Sequence, residues 1–266
     1  MSETAGSPQI TGKLFLFEHP ELLNKEQHGG LGVSPPSAPC KFCANVAAIP
    51  LTASEIPAAV KDYPVVFLSE EDPMPLAVVG LIDQVNLFVN EDGQWASDTY
   101  IPGYIRRYPF AIANETDGER LAIVIDRAYD GVVPGGEMPL FESGGEPTTA
   151  TQQAIEFCKA YETDRRMTEQ FVNLLKSSGL VRGQAAQYTP KDAKEPQPFA
   201  QYFGVDEKGL ADLSDEKFLE LRKSNMLPFL YAQLMSLGNW RNLLMRRAKR
   251  FDLTEDQVFQ QIQQNS

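Results

Sequence analysis

The sequence predicts an α+β protein in which an antiparallel β-meander comes first and a helical region follows. Runs rich in β-branched and large apolar residues, typical of strands, lie at 65–68, 76–82, 85–89, 110–113 and 121–126. Asp92-Gly93 and Asp117-Gly118 lie among these runs, and Asp-Gly favours the tight turns of hairpins. Such short turns join antiparallel neighbours, because parallel strands need long crossovers. After Thr149 the apolar residues recur every three or four positions, which is typical of helices.

Changes in composition along the chain predict four parts. Residues 1–39 are rich in Gly, Pro, Ser and charge, and are expected to form an N-terminal arm with local anchors. The β-rich part covers 40–130, a Gly/Pro loop covers 131–147, and the helical part covers 148–266. Whether these parts form separate domains or one composite domain is left open.

Local signals divide the β-rich part further. Residues 42–50 are predicted to be a strand, and Thr52 with Glu55 has the pattern of a capping box that begins a short helix. Residues 103–108 are expected to form one helical turn between extended arms, because a residue that precedes proline disfavours helical geometry.

The helical part is predicted to begin with one long helix. This helix starts at Thr149 and ends near Ser178, where Gly179 suits the position after a helix C-terminus. Residues 182–200, rich in Gln, Lys and Pro, show no period and are predicted to be a connector. Later helices are expected to begin at three further start signals, near Ser214, Pro228 and Thr254.

The charge of the chain argues against two classes of function. The 266 residues carry a formal net charge of −12, whereas nucleic-acid binding and attachment to anionic lipid both need a basic surface. No apolar run approaches the ~20 residues that a membrane-spanning helix needs. The first residues, M-S-E-T-A-G-S, are polar and acidic and do not form a secretory signal, so a cytoplasmic location is expected.

Residues typical of catalytic and cofactor sites are scarce. The patterns G-x-x-x-x-G-K-[ST] and G-x-S-x-G do not occur in the sequence. A nucleophile paired with histidine would have to use His19 or His28, and both lie in the predicted arm. We therefore predict no catalytic residues and no cofactor.

One set of residues has the chemistry of a metal site. His19, His28, Cys40 and Cys43 offer two imidazoles and two thiolates, a ligand set that suits tetrahedral zinc. The histidines precede the cysteines, however, and this spacing is unlike that of the common zinc modules. We favour the alternative that the cysteines are small buried side chains on the first strand, and we predict no metal.

The strongest candidate for a binding site is the aromatic–arginine stretch, which we define as residues 95–113. Aromatic rings with polar tips and guanidinium groups are common anchors of binding sites. The same residues also suit a buried junction between two layers of a core, so both interpretations stay open. The candidate binding residues are Trp95, Tyr100, Tyr104, Arg106, Arg107 and Tyr108.

A second candidate is the basic segment, residues 241–250. It contains Arg241, Arg246, Arg247, Lys249 and Arg250. Basic residues near a helix C-terminus interact favourably with the helix dipole, and we favour this structural role. The alternative is a surface that binds an acidic partner or an anionic ligand.

Four stretches carry a family resemblance. They are L-L-N-K-E-Q-H at 22–28, Y-P-V-V-F at 63–67, Y-I-P-G-Y-I-R-R-Y-P-F at 100–110, and Y-A-Q-L-M-S-L-G-N-W at 231–240. In order and spacing they resemble the bacterial SapC family over about residues 20–245, although Cys40 and Cys43 depart from its pattern. The resemblance implies an accessory role with a surface-layer association. It leaves a location at the cell surface open beside the cytoplasmic one.

Two functions follow from these observations. The first is a non-catalytic interaction protein that binds a protein partner or a small ligand through the aromatic–arginine stretch, with homo-oligomer formation left open. The alternative is an enzyme in which Arg107 holds a small acidic substrate while Asp98, Tyr100 or Tyr104 transfers a proton. The scarcity of catalytic residues favours the first.

Overall fold

The computed structural model describes residues 14–114 and 121–265. Its strands are β1 (Pro20–Leu22), β2 (Leu31–Val33), β3 (Ala48–Pro50), β4 (Val65–Phe67), β5 (Pro75–Val78), β6 (Phe110–Asn114), β7 (Leu121–Asp126), β8 (Val132–Pro134), β9 (Met138–Pro139), β10 (Val181–Tyr188) and β11 (Gln197–Val205). Its helices are α1 (Lys25–His28), α2 (Ile56–Ala59), α3 (Gly103–Arg106), α4 (Thr149–Ser178), α5 (Glu207–Ala211), α6 (Asp215–Lys223), α7 (Leu227–Ser236), α8 (Asn239–Arg250) and α9 (Glu255–Asn265). The sheets are antiparallel and the C-terminal region is helical, which confirms the α+β class.

The chain forms two compact units, and each takes segments from distant parts of the sequence. The first unit is Met1–Phe42, Asp92–Gln94 and Ile105–Thr163. The second unit is Cys43–Glu91, Trp95–Tyr104 and Asp164–Ser266. Two helices, α3 and α4, begin in one unit and end in the other.

The first unit contains two small sheets, with strand orders β1-β7-β6 and β8-β2-β9. Side chains alternate across β6, so Phe110 and Ile112 contact one apolar cluster while Ala111 and Ala113 contact another. The first cluster also contains Cys158 from α4. Both faces of the β6–β7 hairpin are therefore covered within this unit.

A buried carboxylate, Asp126 at the end of β7, fixes the chain around this hairpin. Its Oδ2 accepts hydrogen bonds from the backbone N–H of Glu18 at 2.9 Å and from the Tyr108 hydroxyl at 3.0 Å. Its Oδ1 accepts from the backbone N–H groups of His19, at 2.9 Å, and Ala128, at 3.0 Å. A buried carboxylate is stable only when its oxygens are satisfied in this way. Asp126 thus connects three separate segments of the first unit.

The second unit contains one five-stranded sheet with the order β10-β11-β4-β5-β3. The β10–β11 hairpin pairs along its whole length, from Val181 opposite Val205 to Tyr188 opposite Gln197. Between β11 and β4 the described backbone pairing is confined to Phe203 opposite Phe67. The sheet is consequently weakest, in backbone terms, at this central junction.

Polar side chains of α7 and α8 satisfy the backbone at that junction. The buried amide of Gln233 donates from Nε2 to the carbonyl of Val65 at 2.9 Å and accepts at Oε1 from the N–H of Val205 at 3.1 Å. The Ser236 hydroxyl accepts from the N–H of Val65 at 2.9 Å. The Gln233 side chain thus occupies the place of a backbone pair between β4 and β11.

Asn239, three residues after Ser236, extends the same row of polar side chains. Its Nδ2 donates to the carbonyl oxygens of Val60, at 2.7 Å, and Tyr63, at 3.1 Å. These carbonyls lie between α2 and β4, so the row fixes the entry to β4 as well as the strand itself. We refer to Gln233, Ser236 and Asn239 as the amide–hydroxyl row.

Several predicted elements are confirmed. The hairpin strands are observed as β6 and β7, although the Asp117-Gly118 turn lies outside the described residues. The long helix is observed as Thr149–Ser178, and Gly179 after it adopts a φ of +65°, as expected for the residue that follows a helix C-terminus. The Glu55 carboxylate accepts from the N–H of Thr52 at 2.8 Å, as the capping box predicts.

Other predictions were wrong. The predicted connector 182–200 contains most of the β10–β11 hairpin, and buried residues do not alternate regularly along either of its strands. Of the predicted strand 42–50 only Ala48–Pro50 is a strand. Residues 85–89 are not a strand either, because the buried Asn86 side chain accepts from the N–H of Phe88, at 2.9 Å, and thereby turns the chain.

Replacement of Gln233 by leucine tests the amide–hydroxyl row. The buried N–H of Val205 and the carbonyl of Val65 would lose their partners, so we expect the free energy of unfolding to fall by about 1–3 kcal/mol. Urea denaturation at 25 °C measures this change. Gln260→Leu, at an exposed position of α9, is the matched control and should leave the midpoint nearly unchanged. Equal midpoints for the two variants would show that Gln233 does not stabilise the junction.

Candidate functional site

The aromatic–arginine stretch is divided between the two units. Trp95, Tyr100 and Tyr104 belong to the second unit, and the remaining candidates, Arg106, Arg107 and Tyr108, belong to the first. The predicted helical turn is observed as α3, which contains the division.

In the second unit, Tyr100 is held at its side chain and its backbone. Its hydroxyl donates to Oε1 of the buried Glu55 at 2.8 Å, and its N–H donates to Oδ2 of Asp62 at 2.7 Å. Its carbonyl accepts a hydrogen bond from the hydroxyl of Tyr63, whose pKa burial raises well above the ordinary value. These contacts fix the chain around Tyr100.

Trp95 and Tyr104 also make contacts within the second unit. The indole N–H of Trp95 donates to the Thr99 hydroxyl at 3.1 Å, and the ring stacks on Phe88 with 6.2 Å between centroids. Tyr104 is buried, with 9% of its surface exposed. The aromatic residues of this group thus contribute to the packing of residues 95–104.

In the first unit, Tyr108 lies in a cluster of aromatic rings. It stacks on Phe42 with 3.8 Å between ring centroids and meets Tyr129 edge-on at 5.0 Å. Burial, followed by the charge of Asp126, raises the pKa of Tyr108 far above its ordinary value. The hydroxyl therefore stays protonated and donates to Asp126.

The two arginines of the first unit lie against aromatic rings on α4. The guanidinium carbon of Arg107, a buried residue, is 4.7 Å from the ring centroid of Tyr161. The guanidinium carbon of Arg106, an exposed residue, is 5.2 Å from the ring centroid of Phe157. Both distances are within the range of cation–π attraction.

Arg106, Arg107 and Tyr108 line a pocket of about 240 Å³ in the first unit, which we call the arginine pocket. One wall is a face of α4, where Ala150, Ala154 and Phe157 follow helical spacing. The other walls come from β2, the 106–110 segment and the chain around β9, with Val33, Phe110, Met138 and Leu140. The described lining contains no carboxylate, imidazole or thiol. Its chemistry is that of an apolar socket beside positive charge.

The sequence located only part of the arginine pocket. Val33, Met138, Leu140 and the α4 residues come from three distant segments and were not among the candidates. Ala150, Ala154 and Phe157 did carry a local signal, because their spacing places them on one helix face. Nothing local could show which segment lies opposite that face.

The residues of the zinc hypothesis have other contacts. His28 is buried in α1, where its Nε2 lies 3.1 Å from Oε2 of Glu21. Cys43 is buried in a 3-10 turn rather than a strand, while Cys40 is partly exposed. Over residues 14–114 and 121–265, no group of three or more His, Cys, Asp or Glu side chains could hold a metal ion.

Arginines of the basic segment hold the chain between β5 and residue 90 in the second unit. The guanidinium carbon of Arg246 is 4.1 Å from the ring centroid of Phe88, and Arg247 donates to Asp83 at 3.0 Å. Arg250 donates to the carbonyls of Asn86 and Val89. These three side chains therefore have a structural role, whereas Arg241 is exposed.

None of the described helices is long and apolar enough to cross a membrane. A family model described as SapC matches residues 23–243, which is most of the chain. Comparison with curated proteins and with solved structures gives no match.

Replacement of Tyr108 by phenylalanine tests the hydrogen bond between Asp126 and this residue of the pocket wall. The ring stack is retained, but Asp126 loses one of its four donors, so we expect the free energy of unfolding to fall by about 1 kcal/mol at neutral pH. The raised pKa means that the wild-type contribution is present below pH ~10 and is lost as the pH rises further. The difference between variant and wild type should therefore shrink in alkali.

Urea denaturation at pH 7 and at pH 10.5 measures both effects of Tyr108→Phe. Tyr231→Phe, at an exposed position of α7, is the control and should show no difference at pH 7. A Tyr108→Phe protein as stable as wild type at pH 7 would contradict the role assigned to the hydroxyl.

Proposed function

The chain belongs to the SapC family, and we propose that it is a non-catalytic interaction protein that binds a protein partner through the arginine pocket. The observation that carries the proposal is the combination of an apolar socket with guanidinium groups at one wall. A partner would insert one apolar side chain and place an acidic residue beside it.

The size of the arginine pocket favours a side chain over a small molecule. Its volume is about 240 Å³, below the ~300–1,000 Å³ of typical small-molecule sites. A leucine or phenylalanine side chain is of suitable size for such a socket. Protein interfaces commonly concentrate their binding energy in anchors of this kind, which fill a pocket and exclude water.

The charge of the pocket supplies specificity for an acidic partner. Arg106 is exposed and stacked on Phe157, so its guanidinium is preorganised near the rim. The chain as a whole carries −12, so most of the surface repels an acidic segment. Local attraction within a repelling surface favours one binding position.

No observation favours the enzyme hypothesis over this one. Within the described pocket lining, Tyr108 is the titratable group besides the arginines, and its raised pKa makes it a poor base at neutral pH. The surface-layer association implied by the family resemblance makes a surface-layer protein one partner to test.

Short fluorescent peptides test the proposed anchor. The probe is an acidic nonapeptide with one central leucine between aspartates, and the comparison peptide has alanine in place of the leucine. We expect the leucine peptide to bind more tightly in fluorescence anisotropy titrations, because only leucine fills the socket. Equal binding of the two peptides would contradict an apolar anchor.

Two variants locate the binding of the leucine peptide. Ala154→Trp fills the arginine pocket from α4 and should abolish binding, whereas Ala160→Trp, exposed on the same helix, is the matched control. Arg106→Gln removes one charge and should weaken binding about five-fold at low salt, with a smaller effect at high salt. Unchanged binding by a folded Ala154→Trp protein would place the interaction elsewhere.

A further inference from the structure

The second unit presents, on one loop, both groups that a partner of the arginine pocket must supply. This loop, which we call the acidic loop, covers residues 68–72 between β4 and β5 and has the sequence L-S-E-E-D. We propose that the partner is a second copy of this chain, whose acidic loop inserts Leu68 into the arginine pocket. The inference rests on the proposed function, because it names the occupant of the same pocket.

Leu68 is exposed directly after a buried strand. Its surface is 53% accessible to solvent, whereas Val65–Phe67 before it are buried. Single exposed apolar residues are common on protein surfaces and do not by themselves indicate a partner. Among the exposed large apolar residues of the described chain, however, Leu68 is the one followed by a run of three carboxylates, at 70–72, with no basic residue between. The acidic loop therefore combines an apolar anchor with negative charge.

Hydrogen bonds within the loop hold the anchor and the carboxylates together. The N–H of Leu68 donates to the carbonyl of Met74 at 3.0 Å, and the N–H of Ser69 donates to the carbonyl of Asp72 at 3.2 Å. The Ser69 hydroxyl accepts from the N–H of Asp72 at 2.9 Å. Because the loop is ordered before binding, it loses less conformational entropy when it enters a pocket.

One of the three carboxylates is engaged within the second unit. Oε1 of Glu70 accepts from the N–H of Gly183 at 3.3 Å, and its Oε2 lies 3.6 Å from Nη1 of Arg182. Both partners belong to β10, so Glu70 holds the loop against that strand. Glu71 and Asp72 are exposed, and their carboxylates are accessible to a second copy.

The charges of the acidic loop and the arginine pocket are opposite. Arg106 is exposed at the pocket, beside Phe157, and can pair with Glu71 or Asp72 of the second copy. Two copies that each carry −12 repel one another at long range. At ~0.15 M salt the Debye length is about 8 Å, so this repulsion is screened while charges in contact still attract.

The proposed contact joins two different surfaces. The pocket lies in the first unit of one copy, and the loop lies in the second unit of the other. Such a heterologous contact leaves each pair with one loop and one pocket to spare, so it builds closed rings or open chains. A single loop in a socket of about 240 Å³ buries little surface, so we expect association to be weak and to depend on concentration.

Two variants that each lack one half of the contact test the proposal. Leu68→Gln removes the anchor at an exposed position, and Ala154→Trp fills the pocket. We expect sedimentation velocity to show association of the wild type as its concentration rises from about 1 µM to about 1 mM, whereas each variant alone should stay monomeric. A mixture of the two should form a dimer with one copy of each and no larger species, because one loop and one pocket remain intact.

Leu219→Gln is the matched control. Leu219 is 40% exposed on α6, a helix that also carries acidic residues but has Lys217 and Arg222 among them. This variant should associate like the wild type. Arg106→Glu, at an exposed position, replaces Ala154→Trp in the mixture if that protein does not fold.

Any of three results would overturn the proposal: a wild type that stays monomeric at about 1 mM, equal association of Leu68→Gln and the wild type, or a mixture of folded variants that stays monomeric. The leucine peptide distinguishes these failures from failure of the proposed function. If the peptide binds the arginine pocket of a monomeric wild type, the proposed function stands and the partner is a different protein. If the peptide does not bind and the wild type does not associate, both proposals are wrong.

Discussion

The second unit depends on side chains that take the place of backbone in a sheet. β4 is three residues long and shares one described backbone pair with β11, yet it lies at the centre of the five-stranded sheet. The amide–hydroxyl row satisfies the backbone that this arrangement leaves unpaired. Its members, Gln233, Ser236 and Asn239, are spaced by three residues, so consecutive turns of the helical segment present them to the strand. A buried polar network of this kind stabilises one arrangement only when every member is satisfied.

The first unit uses the same principle with a carboxylate. Asp126 accepts hydrogen bonds from three backbone N–H groups and from Tyr108, so it joins the chain before β1, the segment before β6 and the turn after β7. Tyr108 directly follows Arg107 in the sequence, and its position therefore limits where the guanidinium group of Arg107 can lie. The hydrogen bond between Tyr108 and Asp126 links the structure to the proposed function. It holds the chain beside the hairpin, and Tyr108 also lines the arginine pocket.

The elements that were predictable are those with local causes. Turn and capping signals, hydrophobic spacing and a glycine after the C-terminus defined β6, β7 and α4 within a few residues. The β10–β11 hairpin had no such signal, because buried residues do not alternate regularly along its strands, which are joined by backbone pairing along their length. In the arginine pocket, Arg106, Arg107 and Tyr108 were recognisable by residue type, whereas Met138 and Ala154 were not.

By itself, the sequence determined the α+β class, the family, the long helix and the place of the aromatic–arginine stretch, because each depends on patterns within about ten to thirty residues. Only the tertiary structure decided that this stretch is shared between two units and that opposite walls of the arginine pocket come from distant segments. The physical reason is the range of the contacts. Gln233 and Val65 are 168 residues apart in the sequence, and no local preference of either residue specifies the hydrogen bond that joins them.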